Sequence, residues 1–385
     1  MKFSIIPLLV SLAAGGCAQS LGDLLGGNPR FATLANYISN QQELRSLLKA
    51  QNVTVLAPDP ASLERMFPPG FNGTGAINNA PLINAIIMYH VLKGKYKKDD
   101  ITNNSKFLPT MLDDSSFENV TDGQVAQAFE ANDTKFIYSG MGSSCNIVIP
   151  NLKFNGGIIH VVDDVLTLPQ NVSTSATAAN LTSFAALLQA ANITAKIDHT
   201  PDVTVFAPNN QAFERVGSVF SNISPANLAQ IANYHIIEGE VLYSANLSNK
   251  TIKTLNGKEA HLTVIDGTAY INSAQVLNTD LLTNNGVVHI IDNVLNPENT
   301  TAKPDPGASP QPIAFAGATP ATNDIVRGVA GPASAITLAP SSSLAAAEAT
   351  ATGTKTSKAG APVETGMAGA GMAVAAGVGA LLVGV

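Results

Sequence analysis

Three segments of this chain occur twice, in the same order, and that duplication is the strongest constraint on what it can fold into. "VTVLAPDPASLERMF" at Val53–Phe67 returns as "VTVFAPNNQAFERVG" at Val203–Gly217. "IIMYHVLKGK" at Ile86–Lys95 returns as "IANYHIIEGE" at Ile231–Glu240. "NGGIIHVVDDVLTLP", which starts at Asn155, returns as "NNGVVHIIDNVLNP" from Asn284. The 385 residues therefore carry two copies of one domain. The copies differ in length, because His90 to His160 spans 70 residues and His235 to His289 spans 54. The spacing predicts an insertion in the first copy around Asp113–Thr134. Pro68-Pro69-Gly70 and Asn72-Gly73 predict a longer loop in the same copy.

The second copy reads more clearly. Phe184, Leu187, Leu188 and Ala191 recur at helical spacing and define one apolar helix face. "VTVFAP" is a short strand stopped by Pro208, after which Asn209 or Asn210 can cap a helix through "QAFERV". Ser224-Pro225 pairs an N-cap with proline at the first helical position. "AHLTVIDGTAYIN" alternates on both sides of Asp266-Gly267, a two-residue hairpin loop. "GVVHIIDNVL" closes the unit as a strand. Helices come first and mostly antiparallel strands follow, which is an α+β domain.

These three ordered motifs resemble the hallmark segments of fasciclin-like domains. The resemblance covers residues 21–169 and 172–297, two tandem domains, and the second copy matches it more closely. The first departs at "VLAPDP", where Pro60 stands in the helix start, and in its insertion. The resemblance implies a β-wedge or sandwich with helices packed along it, and extracellular adhesion or matrix interaction without catalysis. In animal relatives the Tyr-His region is implicated in adhesion. Carried over, that nominates Tyr89, His90, Tyr234 and His235, against the plainer reading that so apolar a segment is core. Lipid-anchored members with a Ser/Thr/Pro stalk are known in fungi and plants, and this chain is similar to the fungal type.

The two ends carry targeting features. Residues 1–18 read as a signal peptide, with Lys2 ahead of an apolar run and the small residues Gly16-Cys17-Ala18 at the cleavage site. A lipoprotein box ending at Cys17 is the alternative. Twelve N-glycosylation sequons argue against it, at Asn52, Asn72, Asn103, Asn119, Asn132, Asn171, Asn180, Asn192, Asn222, Asn246, Asn249 and Asn299. So many behind a signal point to a eukaryotic ectodomain. With Cys17 removed, Cys145 is left alone and reads as a buried small residue. From residue 298 to 358 the chain is rich in Pro, Ala, Ser, Thr and Gly, which predicts a disordered, O-glycosylated stalk. Residues 359–385 read as a glycosylphosphatidylinositol attachment signal that is removed. A membrane-spanning helix is the competing reading, but the tail is mostly Gly and Ala. The expected location is the outer leaflet of the plasma membrane or the wall.

The histidines are the obvious candidates for chemistry. His160 with Asp163 or Asp164, and His289 with Asp292, offer metal-ligand or acid–base residue types. Their His-x-x-Asp spacing on a strand puts the two side chains on opposite faces, however. No HExxH, GxSxG or phosphate-cradling glycine loop is present. A neutral imidazole that bonds through both nitrogens inside a core is the alternative, and His160, Asp163, His289 and Asp292 then read as a structural motif. The expectation is a non-enzyme with no cofactor. "KGKYKKDD" at Lys93–Asp100 reads as a solvated turn, with an anionic glycan as the competing partner. Asn284-Asn285-Gly286 reads as a turn into the last strand. The net charge of −7 argues against a nucleic-acid partner. The partners expected are cell-surface or wall glycans and matrix proteins. The competing role is a structural wall glycoprotein whose glycans do the work, with the domains as spacers.

Overall fold

The computed structural model describes residues 20–27, 32–42, 44–66 and 80–331. The signal segment, Asn72, the end of the stalk and the anchor signal lie outside the described residues. The two copies belong to one compact unit.

The first copy opens with helices Leu21–Gly26 and Ala32–Asn40 and a short 3-10 turn, Leu44–Lys49. Strand β1 (Val53–Pro58), helices Pro60–Met66 and Ala80–Tyr89 and strand β2 (Val91–Lys93) follow. Then come β3 (Lys106–Pro109), β4 (Val125–Ala131), β5 (Thr134–Tyr138), β6 (Ser144–Phe154) and β7 (Gly157–Val162). The second copy repeats this order. Helices Val172–Ala178, Thr182–Ala190 and Thr194–His199 lead into β8 (Val203–Pro208), and helices Asn210–Arg215, Gly217–Phe220 and Pro225–Tyr234 into β9 (Ile236–Glu238). Strands β10 (Lys250–Lys253), β11 (Glu259–Ile265), β12 (Thr268–Ile271), β13 (Ala274–Thr283) and β14 (Gly286–Ile291) complete it.

Each copy is one seven-stranded sheet. The orders are β2-β1-β7-β6-β5-β4-β3 and β9-β8-β14-β13-β12-β11-β10, so the duplication in sequence is a duplication in topology. The only parallel pairs among the described strands are β1 with β7 and β8 with β14. Parallel strands buried on both faces read as continuous apolar runs, and all four of these strands are buried throughout. Val205, Val288 and Ile290 face the helices, while Phe206 and Ile291 face the core enclosed by the antiparallel strands. Gly157 and Gly286 begin the closing strands because a Cβ there would lie 1.8 Å and 1.9 Å from the carbonyl oxygens of Val53 and Val203.

Local sequence signals account for the elements. Phe184, Leu187 and Leu188 are fully buried on the predicted helix face. The Asn209 side chain accepts from the Ala212 N–H, and Ser224 caps the helix that starts at Pro225. Asp266-Gly267 turns β11 into β12 with positive φ at both residues. Pro60 is tolerated in the first copy because it stands at the first helical position, where Asp59 still caps through the Ser62 N–H at 2.8 Å.

Two expectations are corrected. The insertion does not fill Asp113–Thr134, since β4 occupies 125–131. Most of the extra residues form the loop between Pro109 and Val125, where the second copy has a short turn between Lys253 and Glu259. The predicted disordered stalk is, as far as residue 331, an ordered strap along the second domain. Its few apolar residues suffice as anchors: Ile313, Phe315, Ile325 and Val326 pack against the helix-side core. Polar side chains hold its backbone. Asn293 Nδ2 donates to the Pro312 carbonyl at 2.5 Å, Asn323 Nδ2 to Gly217 at 2.8 Å, and Ser183 Oγ to Val326 at 3.0 Å.

Candidate functional site

The motif histidines occupy two kinds of joint, each present once in either domain. His90 and His235 each stand at the C-terminal end of a helix. His90 Nδ1 donates to the Ile86 carbonyl at 2.7 Å and Nε2 accepts the Leu166 N–H at 2.9 Å. His235 Nδ1 donates to Ile231 at 2.8 Å and Nε2 accepts from Leu295 at 2.9 Å. Each ring thus ties a helix end to the segment that follows the last strand.

His160 and His289 work with the opposite tautomer. His160 Nε2 donates to the Tyr96 carbonyl at 2.8 Å and Nδ1 accepts the Asn151 N–H at 3.2 Å. His289 Nε2 donates to Leu242 at 2.7 Å and Nδ1 accepts the Asp280 N–H at 3.3 Å. A carbonyl can only accept and an N–H can only donate, so the partners fix every tautomer. Burial holds the pKa of His90 and His235 down at about 4, and lowers those of His160 and His289. All four rings are neutral, with both nitrogens committed.

The acidic partners are committed too. Asp292 accepts the N–H groups of Gln275 (2.8 Å) and Gln311 (2.9 Å), and Asp163 accepts from Asn146 N and Nδ2, each at 2.7 Å. Neither carboxylate bonds its neighbouring histidine. Among the described residues no group of three or more His, Cys, Asp or Glu is placed to hold a metal ion. Cys145 is buried, and that burial pushes its thiol pKa up, away from reactivity.

The Tyr-His adhesion assignment is corrected by burial. Tyr89, Tyr234 and His235 are fully buried and His90 is 6 % exposed, so none presents a surface to a partner. Tyr89 donates to the Val125 carbonyl at 2.9 Å and Tyr234 to Glu259 at 2.8 Å. Each phenol joins a helix end to the strand below it, as an amphipathic ring does in a core. "KGKYKKDD" is a half-exposed to exposed turn. Asn285 is buried and donates to the carbonyls of Ile197 (2.7 Å) and Thr200 (2.8 Å), so its turn is anchored from below.

The surface carries the sequons. Of the eleven sequon asparagines within the described residues, ten are exposed and Asn171 is half-buried. Asn52, Asn132, Asn180 and Asn192 sit at turn positions with positive φ.

Sequence reading missed the contact between the domains. The inserted loop of the first copy reaches the second: Asn119 N donates to the Asn284 carbonyl at 2.6 Å, and Asn119 Nδ2 to His199 at 3.0 Å. Thr121 N donates to Asp202 at 2.8 Å and its hydroxyl bonds the same carboxylate. Gln124 Nε2 donates to the Thr283 carbonyl at 3.0 Å and Gln127 Nε2 to Asp280 at 3.3 Å. Phe107 stacks on Tyr243 with centroids 4.3 Å apart, beside Val125, Leu282 and Val287. The signal that pointed here was the length difference between the copies.

Each of the two α+β domains buries a histidine joint in two of its three motifs, and among the described residues no group of metal-ligand residues comes together. The fasciclin domain profile matches residues 29–169 and 179–297. The chain belongs to the fasciclin-domain family, with two copies in tandem. It is similar to a fasciclin-like arabinogalactan protein of Arthroderma benhamiae, 40 % identical over 83 % of this chain and 77 % of that one. It is similar to the fasciclin-like arabinogalactan protein elcF of Phaeosphaeria nodorum, 30 % identical over 78 % of this chain and 94 % of that one. Human periostin is 25 % identical over 70 % of this chain and 31 % of its own length. The role is a non-enzymatic one in cell adhesion or at the cell surface.

Proposed function

We propose that this protein is a lipid-anchored cell-surface glycoprotein that adheres to wall polysaccharides or matrix proteins through the outer surface of its domain pair. One observation carries this reading. The chemistry-bearing motif residues are spent on the core, while ten of the eleven described sequon asparagines are exposed, on both domains. Residues 332–358 then serve as the stalk, and 359–385 as the signal exchanged for the lipid. Among the described residues no helix is long and apolar enough to cross a membrane, and a lipid anchor needs none.

The test uses the ectodomain secreted by a eukaryotic host, screened against wall polysaccharides, glycans and matrix proteins, beside adhesion of cells that lack the gene. Binding together with reduced adhesion supports the proposal. No binding and unchanged adhesion overturn it. The exposure of the sequons equally favours a wall glycoprotein whose glycans carry the role. A folded variant lacking every sequon separates the two: retained adhesion favours the protein surface, and lost adhesion favours the glycans.

A further inference from the structure

"NLSNKT" at 246–251 places two sequons against the start of β10. Strand β10 pairs with β11 only from Leu262 back to Glu259, so the Val264 N–H lies beyond the ladder. Asn249 Oδ1 accepts that N–H at 2.6 Å and extends the ladder with a side chain. The carboxamide is planar, so fixing the oxygen on β11 turns Nδ2 the other way. Thr251, the third residue of the sequon, bonds His261 Nδ1 at 3.0 Å across the same strand pair.

The start of the strap runs along this face. Between it and the strands lies a trough of about 710 Å³, walled by Asn249, Thr251, His261, Thr263, Thr301 and Lys303. Pockets for bound ligands span about 300–1,000 Å³. Hydroxyls, an imidazole and an exposed ammonium line the walls, with Ile265 and Pro304 as apolar patches. That mixture suits a saccharide, which offers hydroxyls at its edge and C–H groups on its faces. The trough has no aromatic platform. A free sugar would have to offset about 4–15 kcal/mol of lost translational and rotational freedom. A sugar tethered to the wall has already lost most of it, and its effective concentration is set by the tether.

We infer that the trough is the bed of an N-linked glycan on Asn249, whose first sugars pack there as a structural part of the second domain. The inference rests on the glycoprotein reading above. The sugar comes from a lipid-diphosphate-linked oligosaccharide. The bond from Nδ2 to the anomeric carbon forms as the carbon–oxygen bond to diphosphate breaks, and Nδ2 gives up one of its two protons.

The test uses the full chain from a glycosylating eukaryotic host, with Asn249 compared to exposed Asn222. Site occupancy is read by mass spectrometry, and glycan release by a peptide-N-glycanase is timed on the native protein. Asn249→Asp keeps an oxygen acceptor for Val264 while removing the glycan and adding a negative charge, and Asn222→Asp controls for the charge. The expected result is an occupied Asn249, release about tenfold slower than at Asn222, the ratio that about 1.4 kcal/mol of protection gives, and a lowered Tm for Asn249→Asp alone. Equal release rates with an unchanged Tm overturn the inference. So does a bare Asn249 beside an occupied Asn222, which leaves the glycoprotein reading standing. Bare asparagines at every sequon overturn both.

Discussion

The backbone N–H of Asp280 donates to Nδ1 of His289, nine residues further along the chain. Asn151 and His160 repeat the pair at the same separation in the first domain. Both donors hold left-handed backbone, φ 64° and 60°, a conformation that Asn and Asp tolerate best among residues with a Cβ. The side-chain oxygen of each then accepts a second backbone N–H, from Ser244 at 2.8 Å and from Lys98 at 3.0 Å. One bulged residue and one ring therefore clamp the closing hairpin to the loop after the second strand. The clamp works only while the ring keeps a bare nitrogen.

Acid should loosen these joints. Protonation would set a ring N–H against a backbone N–H at each of the four histidines. Their folded pKa values lie below the ordinary 6.5, at about 4 for His90 and His235. The unfolded chain therefore takes up protons first as the pH falls. The stabilisation is fully present above the unfolded value and is lost as the pH drops through about 6.5 towards about 4. Each of those two sites contributes roughly 3 kcal/mol to the fall. Urea denaturation followed from neutral pH to about pH 4 should show a steadily falling midpoint, and a flat profile would contradict the joint.

His289→Ala should destabilise the second domain without abolishing any reaction. The substitution strands the Asp280 N–H and the Leu242 carbonyl and leaves a hole beside Phe206, whose ring lies 5.4 Å from the imidazole. The expected loss is about 2–4 kcal/mol. The His199 side chain is exposed and bonds only within its own helix turn, so His199→Ala should change stability by no more than about 0.5 kcal/mol. Equilibrium denaturation of the two variants checks the contrast.

The duplicated motifs made the fold legible, because they are its local rules: a capped helix, a buried parallel strand, a glycine where strands touch. The histidine joints were legible as residues to be satisfied, but not in their partners. Asn151 and Asp280 sit in stretches with no mark but their distance from the ring. Residues 298–331 misled because composition averages over a segment. Four apolar anchors and a few asparagines order it, and their spacing follows no helical or strand period. The domain contact left no trace but the length difference between the copies, since Phe107 and Tyr243 meet only after each domain has folded.

The strap should behave as part of the second domain. Arg215 bonds the carbonyls of Asp292 and Gln311, and Gln311 is fully buried. In the first domain the equivalent Arg65 reaches only Asp164 and nearby groups on an exposed face. A chain ending at residue 297 should melt below one ending at 331. Gly217→Ala would place a Cβ 2.0 Å from the Ala321 carbonyl oxygen. Displacing the strap that way should cost about 1–3 kcal/mol. Limited proteolysis should then cut between residues 298 and 331, where the parent chain resists.

The two domains should unfold together and separate when their contact is cut. The contact is one stacked aromatic pair, a small apolar cluster and hydrogen bonds from Asn119, Thr121, Gln124 and Gln127. The stack contributes about 0.5–1.5 kcal/mol beyond its buried area, and each neutral hydrogen bond about 1 kcal/mol. Phe107→Ala with Gln124→Ala removes the stack and one bond while leaving each hydrophobic core intact. Calorimetry of the parent should give one transition. The double variant should give two, with the first domain, whose inserted loop loses its seat, melting earlier. Small-angle scattering should show the same change as a larger radius of gyration. A single unshifted transition in the double variant would mean that the stack and the Gln124 bond do not couple the domains, leaving that role to the remaining contacts and the linker around Gln170, whose carbonyl accepts the Asn284 N–H at 2.9 Å.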